Sequence, residues 1–206
     1  MTRSLAGGRR AEATALPNWI KPQLTKLVDQ PPDGPEWLHE IKFDGYRMHA
    51  RLDQGAVRLL TRTGIDWTPK YPAIAAAIAS LPARQAYLDG ELCGVRPDGT
   101  TSFSLIQNAS DTGNSRALVF FLFDLLHLDG ETIAPMPVRE RKERLRALLS
   151  GAGSSLHFGD HQIGRGRAFY DHACTLKVEG IGLEAGRCPL RSRQSRPVAE
   201  NQMFEP

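Results

Sequence analysis

Lys42 is the side chain in this sequence best placed for covalent chemistry. It ends the run Trp37-Leu38-His39-Glu40-Ile41-Lys42, and Phe43-Asp44-Gly45 turns the chain straight after it. Beyond the turn, Tyr46, Met48, Ala50 and Leu52 alternate with Arg47, His49 and Arg51, the period of a half-buried strand. Lys42 is therefore expected at a strand end, facing a tight corner that also carries a carboxylate and a guanidinium. A lysine attacks only through its neutral amine. At a reference pKa of about 10.4, roughly one lysine in a few thousand is neutral at pH 7. Nearby cations and partial burial raise that fraction. On its own, Lys-X-Asp-Gly is short and describes a surface lysine beside a hairpin turn more readily than a nucleophile.

Other chemistry-bearing residues recur along the chain. Arg62 directly follows the alternating run Val57, Leu59, Thr61 and could be a plain strand-end arginine. Asp89 and Glu91 interrupt the apolar stretch from Ala86 to Val95, where buried acids need a partner or a ligand. A turn carboxylate paired with a nearby arginine is an equal reading of that pair. Phe120, Phe121 and Phe123 lie in the run Leu118 to Leu126, which predicts a strand buried on both faces. Aromatic residues in such a run are more often core than a cofactor platform. His157, Asp160 and His161 have no tight metal-ligand spacing.

The positioning elements follow from periodicity. A hairpin runs from the lysine turn through Gln54-Gly55. Helices are expected at Tyr71 to Leu81, Phe103 to Ala109, Pro137 to Leu149 and Ala168 to Leu176. Glu140 and Arg144 are spaced for an ion pair. A strand starts at Lys177 and carries Glu179. Near the start, Leu24, Leu27 and Val28 suit one short helical turn before Pro31-Pro32.

Taken in order, these residues form a specific set. Glu40-Ile41-Lys42-Phe43-Asp44-Gly45-Tyr46-Arg47, Arg62-Thr63-Gly64, Asp89-Gly90-Glu91-Leu92, Phe123-Asp124-Leu125-Leu126 and Glu179-Gly180-Ile181 resemble the covalent nucleotidyltransferases. Within them the chain is most similar to the ATP-dependent DNA ligases, of the bacterial ligase D type of non-homologous end joining. The resemblance covers Leu16 to Ile181 and extends to Trp37-Leu38-His39-Glu40 and Thr61 to Thr68. It implies an α+β, ATP-grasp-like adenylation domain of antiparallel-rich sheets with flanking helices. It implies ATP and Mg2+ as cofactors, and nicked or broken double-stranded DNA as partner, with a DNA-end-binding Ku-type protein as a further one. The three cysteines, few and without metal-ligand spacing, suit a reducing cytoplasm, and a cytoplasmic location is expected.

The resemblance assigns roles as well. Lys42 would attack the α-phosphorus of ATP. Glu40 and the backbone at Ile41 would face the adenine amino group, and Phe123 would stack on the base. Arg47 and Arg62 would meet ribose and phosphate oxygens, Glu91 the sugar or phosphate region, and Glu179 the catalytic metal.

The resemblance stops after Ile181. The expected organisation is a flexible tail over residues 1–15, the adenylation domain over 16–181, and a disordered tail over 182–206, with no OB-fold domain. A related ligase would continue with Val-Ser-Lys-Arg and later Trp-Leu-Lys-X-Lys, whereas this chain has no lysine after Lys177. One shift of the reading frame accounts for the difference. Synonymous codons exist for Gly182 to Leu190 that, read one base later, encode Val-Ser-Lys-Arg-Val-Asp-Ala-Pro. Codons for Val198 to Glu205 likewise yield Trp-Leu-Lys-Thr-Lys-Cys-Ser. A single inserted base near the Gly182 codon is expected, together with impaired activity.

Composition sets the outer limits. A hydrophobic fraction of 41% and a charged fraction of 24% suit a globular chain. The net charge of +3 permits nucleic-acid binding without requiring it. Cys93, Cys174 and Cys188 are odd in number and do not form a disulfide framework. No apolar run reaches membrane-spanning length, so no membrane partner is expected. Two competing readings fit the same residues. One is a non-catalytic remnant with weak nucleotide or DNA binding. The other is an RNA-capping guanylyltransferase, which shares the Lys-X-Asp-Gly logic.

Overall fold

The computed structural model describes residues 13–23, 25–27, 30–112, 116–175, 180–185 and 198–202. Two sheets make up the fold. The larger is built from β3 (Tyr46–Asp53), β4 (Ala56–Thr61), β5 (Gln85–Gly94), β6 (Leu118–Leu128) and β7 (Glu131–Thr132) in the order β4-β3-β5-β6-β7. A sixth strand, β8 (Leu156–Phe158), joins β6 in parallel. The smaller sheet has the order β1-β11-β10-β2-β9, from β1 (Thr25–Leu27), β2 (Trp37–Lys42), β9 (His161–Ile163), β10 (Gly180–Ala185) and β11 (Val198–Gln202).

Period-two alternation decides what each face of the larger sheet does. Met48, Ala50 and Leu52 on β3 enter the main core together with Leu88, Leu92, Phe120 and Leu122. Three helices cover that face: α1 (Pro72–Ala79) through Ile74 and Ile78, α2 (Phe103–Thr112) through Ile106 and Ala109, and α3 (Val138–Leu148) through Leu145 and Leu148. Arg47, His49 and Arg51 face the other way and stand opposite Glu91, Asp89 and Tyr87 on β5. The β3–β4 turn holds Gln54 and Gly55 at φ 51° and 86°, as a two-residue hairpin turn demands.

On β6 the alternation overrides the reading of a strand buried on both faces. Phe120 and Leu122 are fully buried, but Phe121 and Phe123 are only half-buried. Among the described residues no helix packs on them, and Phe121 instead stacks on Phe43 from the turn after β2, with ring centres 4.0 Å apart.

The smaller sheet has its own core. Ala173 from α4 (Gly166–Thr175) packs with Ile181 and Leu183, and Trp37, Ile41 and Phe169 lie against them. Ile41 thus points to α4, so Glu40 and Lys42, one residue to either side, point to the opposite face.

Two expectations about the chain's outer segments are corrected. Thr25–Leu27 is a strand paired in parallel with β11, not a helical turn. So short an apolar run cannot meet the cost of nucleating a helix, whereas an extended one satisfies its backbone groups on a neighbour. Within the segment 182–206, expected to be disordered, residues 182–185 complete β10 and Val198–Gln202 forms β11. The unpaired backbone edge of β10 supplies the driving force that side-chain patterning lacked. The strand expected from Lys177 is observed at Gly180–Ala185. Arg144, expected to pair with Glu140, meets Glu131 at 2.6 Å.

Candidate active site

Lys42 closes β2 and lies half-buried opposite Gly180 in the β2–β10 register. The corner that follows is set by close backbone approach. A Cβ on Gly45 would stand 2.3 Å from the Leu92 carbonyl oxygen, so only glycine lets the turn reach β5. Gly90 fulfils the same condition one strand further, where a Cβ would lie 2.5 Å from the Phe121 carbonyl oxygen.

Glu40 is paired with a lysine that the sequence analysis did not mark. Lys142, buried on α3, donates to Glu40 Oε1, to the Phe123 carbonyl at 2.9 Å and to the Gly159 carbonyl at 3.3 Å. Burial raises the Glu40 carboxyl from its ordinary range, and the Lys142 charge offsets only part of that rise.

Arg47 belongs to a second polar chain. Its Nε and Nη2 donate to the two oxygens of Asp89 at 3.1 and 2.8 Å. His49 Nε2 lies 3.3 Å from Asp89 Oδ1, and His49 Nδ1 lies 2.9 Å from the Tyr87 hydroxyl. The Ile20 amide in turn donates to that hydroxyl at 2.9 Å. Burial works against the Asp89 carboxylate. The Arg47 guanidinium and then His49 outweigh it, holding the carboxyl well below the usual range. The pair is thus ionised at neutral pH. The Arg47 guanidinium also lies 5.1 Å from the centre of the Phe123 ring.

A cleft of 390 Å³ opens beside this chain, lined by Gly45, Arg47, Arg62, Ile65, Trp67 and Glu91 among others. Lys42, Glu40 and Phe123 are not part of its lining. Arg47 therefore joins two groups: Arg62 and Glu91 in the cleft, and Phe123 with Glu40 across the gap between sheets. Ile41 contributes backbone to this region, since its side chain packs under α4. Glu179 lies outside the described residues, next in sequence to Gly180.

These strands coincide with the segments of a known family. Residues 20–188 match the model of the ATP dependent DNA ligase domain. The chain belongs to the ATP-dependent DNA ligases. It is 40% identical over 190 residues to the multifunctional non-homologous end joining protein LigD of Pseudomonas aeruginosa, covering 91% of this chain and 22% of that protein. The corresponding Mycobacterium tuberculosis DNA repair protein LigD is 34% identical over 164 residues, covering 80% and 21%. The chain therefore spans about a fifth of the length of these curated relatives. Among solved structures, a mycobacterial DNA ligase D complexed with ATP and MES superposes with a TM-score of 0.78 at 26% identity, covering 91% of this chain and 62% of that one.

This ligase adenylation domain is α+β, with antiparallel-rich sheets and flanking helices, as the sequence implied. Three of its site features escaped the sequence analysis. Lys142 carried a usable signal: with Val138 and Leu145 it falls on the apolar stripe of α3, where a lysine must find an anion. His49 and Tyr87 carried none, because their meeting depends on the β3–β5 register.

Proposed function

We propose that this domain transfers AMP from ATP onto Lys42. The carrying observation is the convergence of Glu40, Phe123 and Arg47 across the gap between sheets, on the face that Lys42 shares with Glu40. The neutral Lys42 amine forms a bond to the α-phosphorus. The bond from that phosphorus to the bridging oxygen breaks, pyrophosphate leaves with the electron pair, and the nitrogen sheds a proton. Arg47 and Arg62 offer planar cationic forks to phosphate or ribose oxygens, and Glu91 offers an acceptor for the sugar. Phe123 presents a ring face to adenine, and Glu40 accepts from the exocyclic amine.

Magnesium would neutralise phosphate charge when bound. Among the described residues no three acidic, histidine or cysteine side chains cluster as a metal site. Glu179, outside those residues, is assigned to the ion by resemblance, and nucleotide phosphates would supply further oxygens, as they often do for magnesium. AMP would then pass from Lys42 to a DNA 5′-phosphate as the P–N bond breaks and the amine is restored, and a 3′-hydroxyl would attack that 5′-phosphate and expel AMP, with nicked or broken duplex as substrate and a Ku-type protein as partner. A frame shift near the Gly182 codon remains part of this reading, and with it slow or absent sealing by the chain as written.

Incubation with ATP labelled at the α-phosphate, followed by denaturing electrophoresis, tests the reading. Label on the protein that survives denaturation and acid-labile release of AMP support it. Label from GTP and none from ATP would favour a guanylyltransferase. No label from either would leave a non-catalytic remnant.

A further inference from the structure

We propose that Lys142 is a positioning residue that holds Glu40 and Phe123 at the spacing an adenine base requires, and so sets the preference for ATP over GTP. The inference rests on the adenine-side roles proposed above for those two residues.

An ammonium has three protons to donate, and the Lys142 ammonium has three acceptors: Glu40 Oε1, the Phe123 carbonyl and the Gly159 carbonyl. Each acceptor sits on a different piece of the fold. Glu40 is on β2 of the smaller sheet, Phe123 on β6 of the larger, and Gly159 between β8 and β9. The lysine itself is on α3, with its side chain 1% exposed. One cation therefore pins both sheets where the two residues facing the base meet.

The third acceptor is itself fixed. The Gly159 amide donates to the Leu122 carbonyl at 2.6 Å, and a Cβ there would lie 2.9 Å from the Phe123 Cβ. The consecutive carbonyls of Leu122 and Phe123 are thus both engaged, which fixes the backbone from which the ring rises.

The same contact decides which base Glu40 accepts. Lys142 favours the ionised carboxylate, which can only accept hydrogen bonds. Adenine presents an amine at the position where guanine presents a carbonyl oxygen. With Glu40 Oε1 engaged by Lys142, the carboxyl group presents an accepting oxygen that is attracted to the first and repelled by the second. Discrimination of this kind comes as much from the repulsive element as from the attractive one.

The test uses the full chain and equilibrium binding of ATP and GTP, with α-phosphate labelling as a second readout. Lys142→Met keeps the stem and removes the charge; Lys142→Arg keeps the charge. Lys142→Met is expected to weaken ATP binding about tenfold or more while GTP binding changes little. The labelling rate at saturating ATP should fall by less than the affinity does. Lys142→Arg should recover much of the preference. If Lys142→Met does not fold, the paired variant Glu40→Gln/Lys142→Met removes both charges together and should fold with the preference lost.

Unchanged ATP affinity and an unchanged ATP-to-GTP ratio in a folded variant would overturn the proposal. An equal loss for both nucleotides would do the same, since it marks a merely structural ion pair. A wild-type chain that prefers ATP but is never labelled would defeat the lysyl-AMP reading and leave this one standing. A wild-type chain that binds neither nucleotide overturns both.

Discussion

Arg141 and Asp124 form a two-pronged ion pair at the base of the site. Arg141 Nε and Nη2 donate to the two Asp124 oxygens at 2.8 and 2.9 Å, and Nη1 donates to the Met136 carbonyl at 2.7 Å. Both side chains are buried, so α3 is tied to β6 immediately beyond Phe123. Removing one partner strands a buried charge. Arg141→Met should cost about 3–5 kcal/mol of stability, measured by urea unfolding. A loss below about 1 kcal/mol would mean that water reaches Asp124.

Phe123 is half-buried on the open face of β6, unlike Phe120 in the core. Phe123→Ala should therefore weaken ATP binding by about 1–3 kcal/mol, the worth of a base stacked on an aromatic ring. Calorimetric titration of ATP into the folded variant is the measurement. An unchanged affinity would leave Phe123 with a packing role alone.

Gly45 tests the corner after Lys42. An added methyl would meet the Leu92 carbonyl oxygen and then Cys93 Sγ, at 2.3 and 2.8 Å. Gly45→Ala should cost about 1–3 kcal/mol by forcing backbone shifts. On the proposed function it should also slow lysyl-AMP formation more than it weakens ATP binding, because the strand end that carries Lys42 must move. Equal effects on rate and affinity would argue that the turn merely packs.

Acid should destabilise the domain before its carboxylates protonate. Burial, and then the Lys142 charge, pull His161 down to about 4 from its ordinary 6.5, while Asp160 pulls the other way and Arg146 and Arg139 add to the fall. Burial also lowers His39 and His127. A histidine with a depressed folded value is fully stabilising above pH 6.5, and that contribution is lost as pH falls toward 4, where only the unfolded chain gains the proton. The His161 share is on the order of 1–2 kcal/mol once partial exposure is allowed for. Urea midpoints at pH 7 and pH 5 should differ, and less so in His161→Gln. A flat profile for both would sink the assignment.

The corner, the hairpin and the three helices on the main core were legible because each rests on local pattern: turn dipeptides, period two and period 3.6. The two relays behind the site were not. The Tyr87–His49–Asp89–Arg47 chain needs the register of two strands about forty residues apart, and the Lys142 contacts need two sheets and a helix to meet. The strand Val198–Gln202 was missed for a related reason. Its sequence carries no apolar alternation, and its place in the sheet is set by the backbone edge it covers.

The pairing of β1 with β11 orders the events of folding. Strands β3 to β7 come from one unbroken stretch, Tyr46 to Thr132, and each pairs with a neighbour in that stretch. The smaller sheet instead stitches Thr25 to Val198, and Lys42 to Gly180, across nearly the whole chain. Such distant contacts carry the largest loop-closure cost and form late. During synthesis the strand that carries Lys42 must therefore wait for its β10 neighbour beside a layer whose strands are already available, and Lys42 is among the last residues to acquire its surroundings.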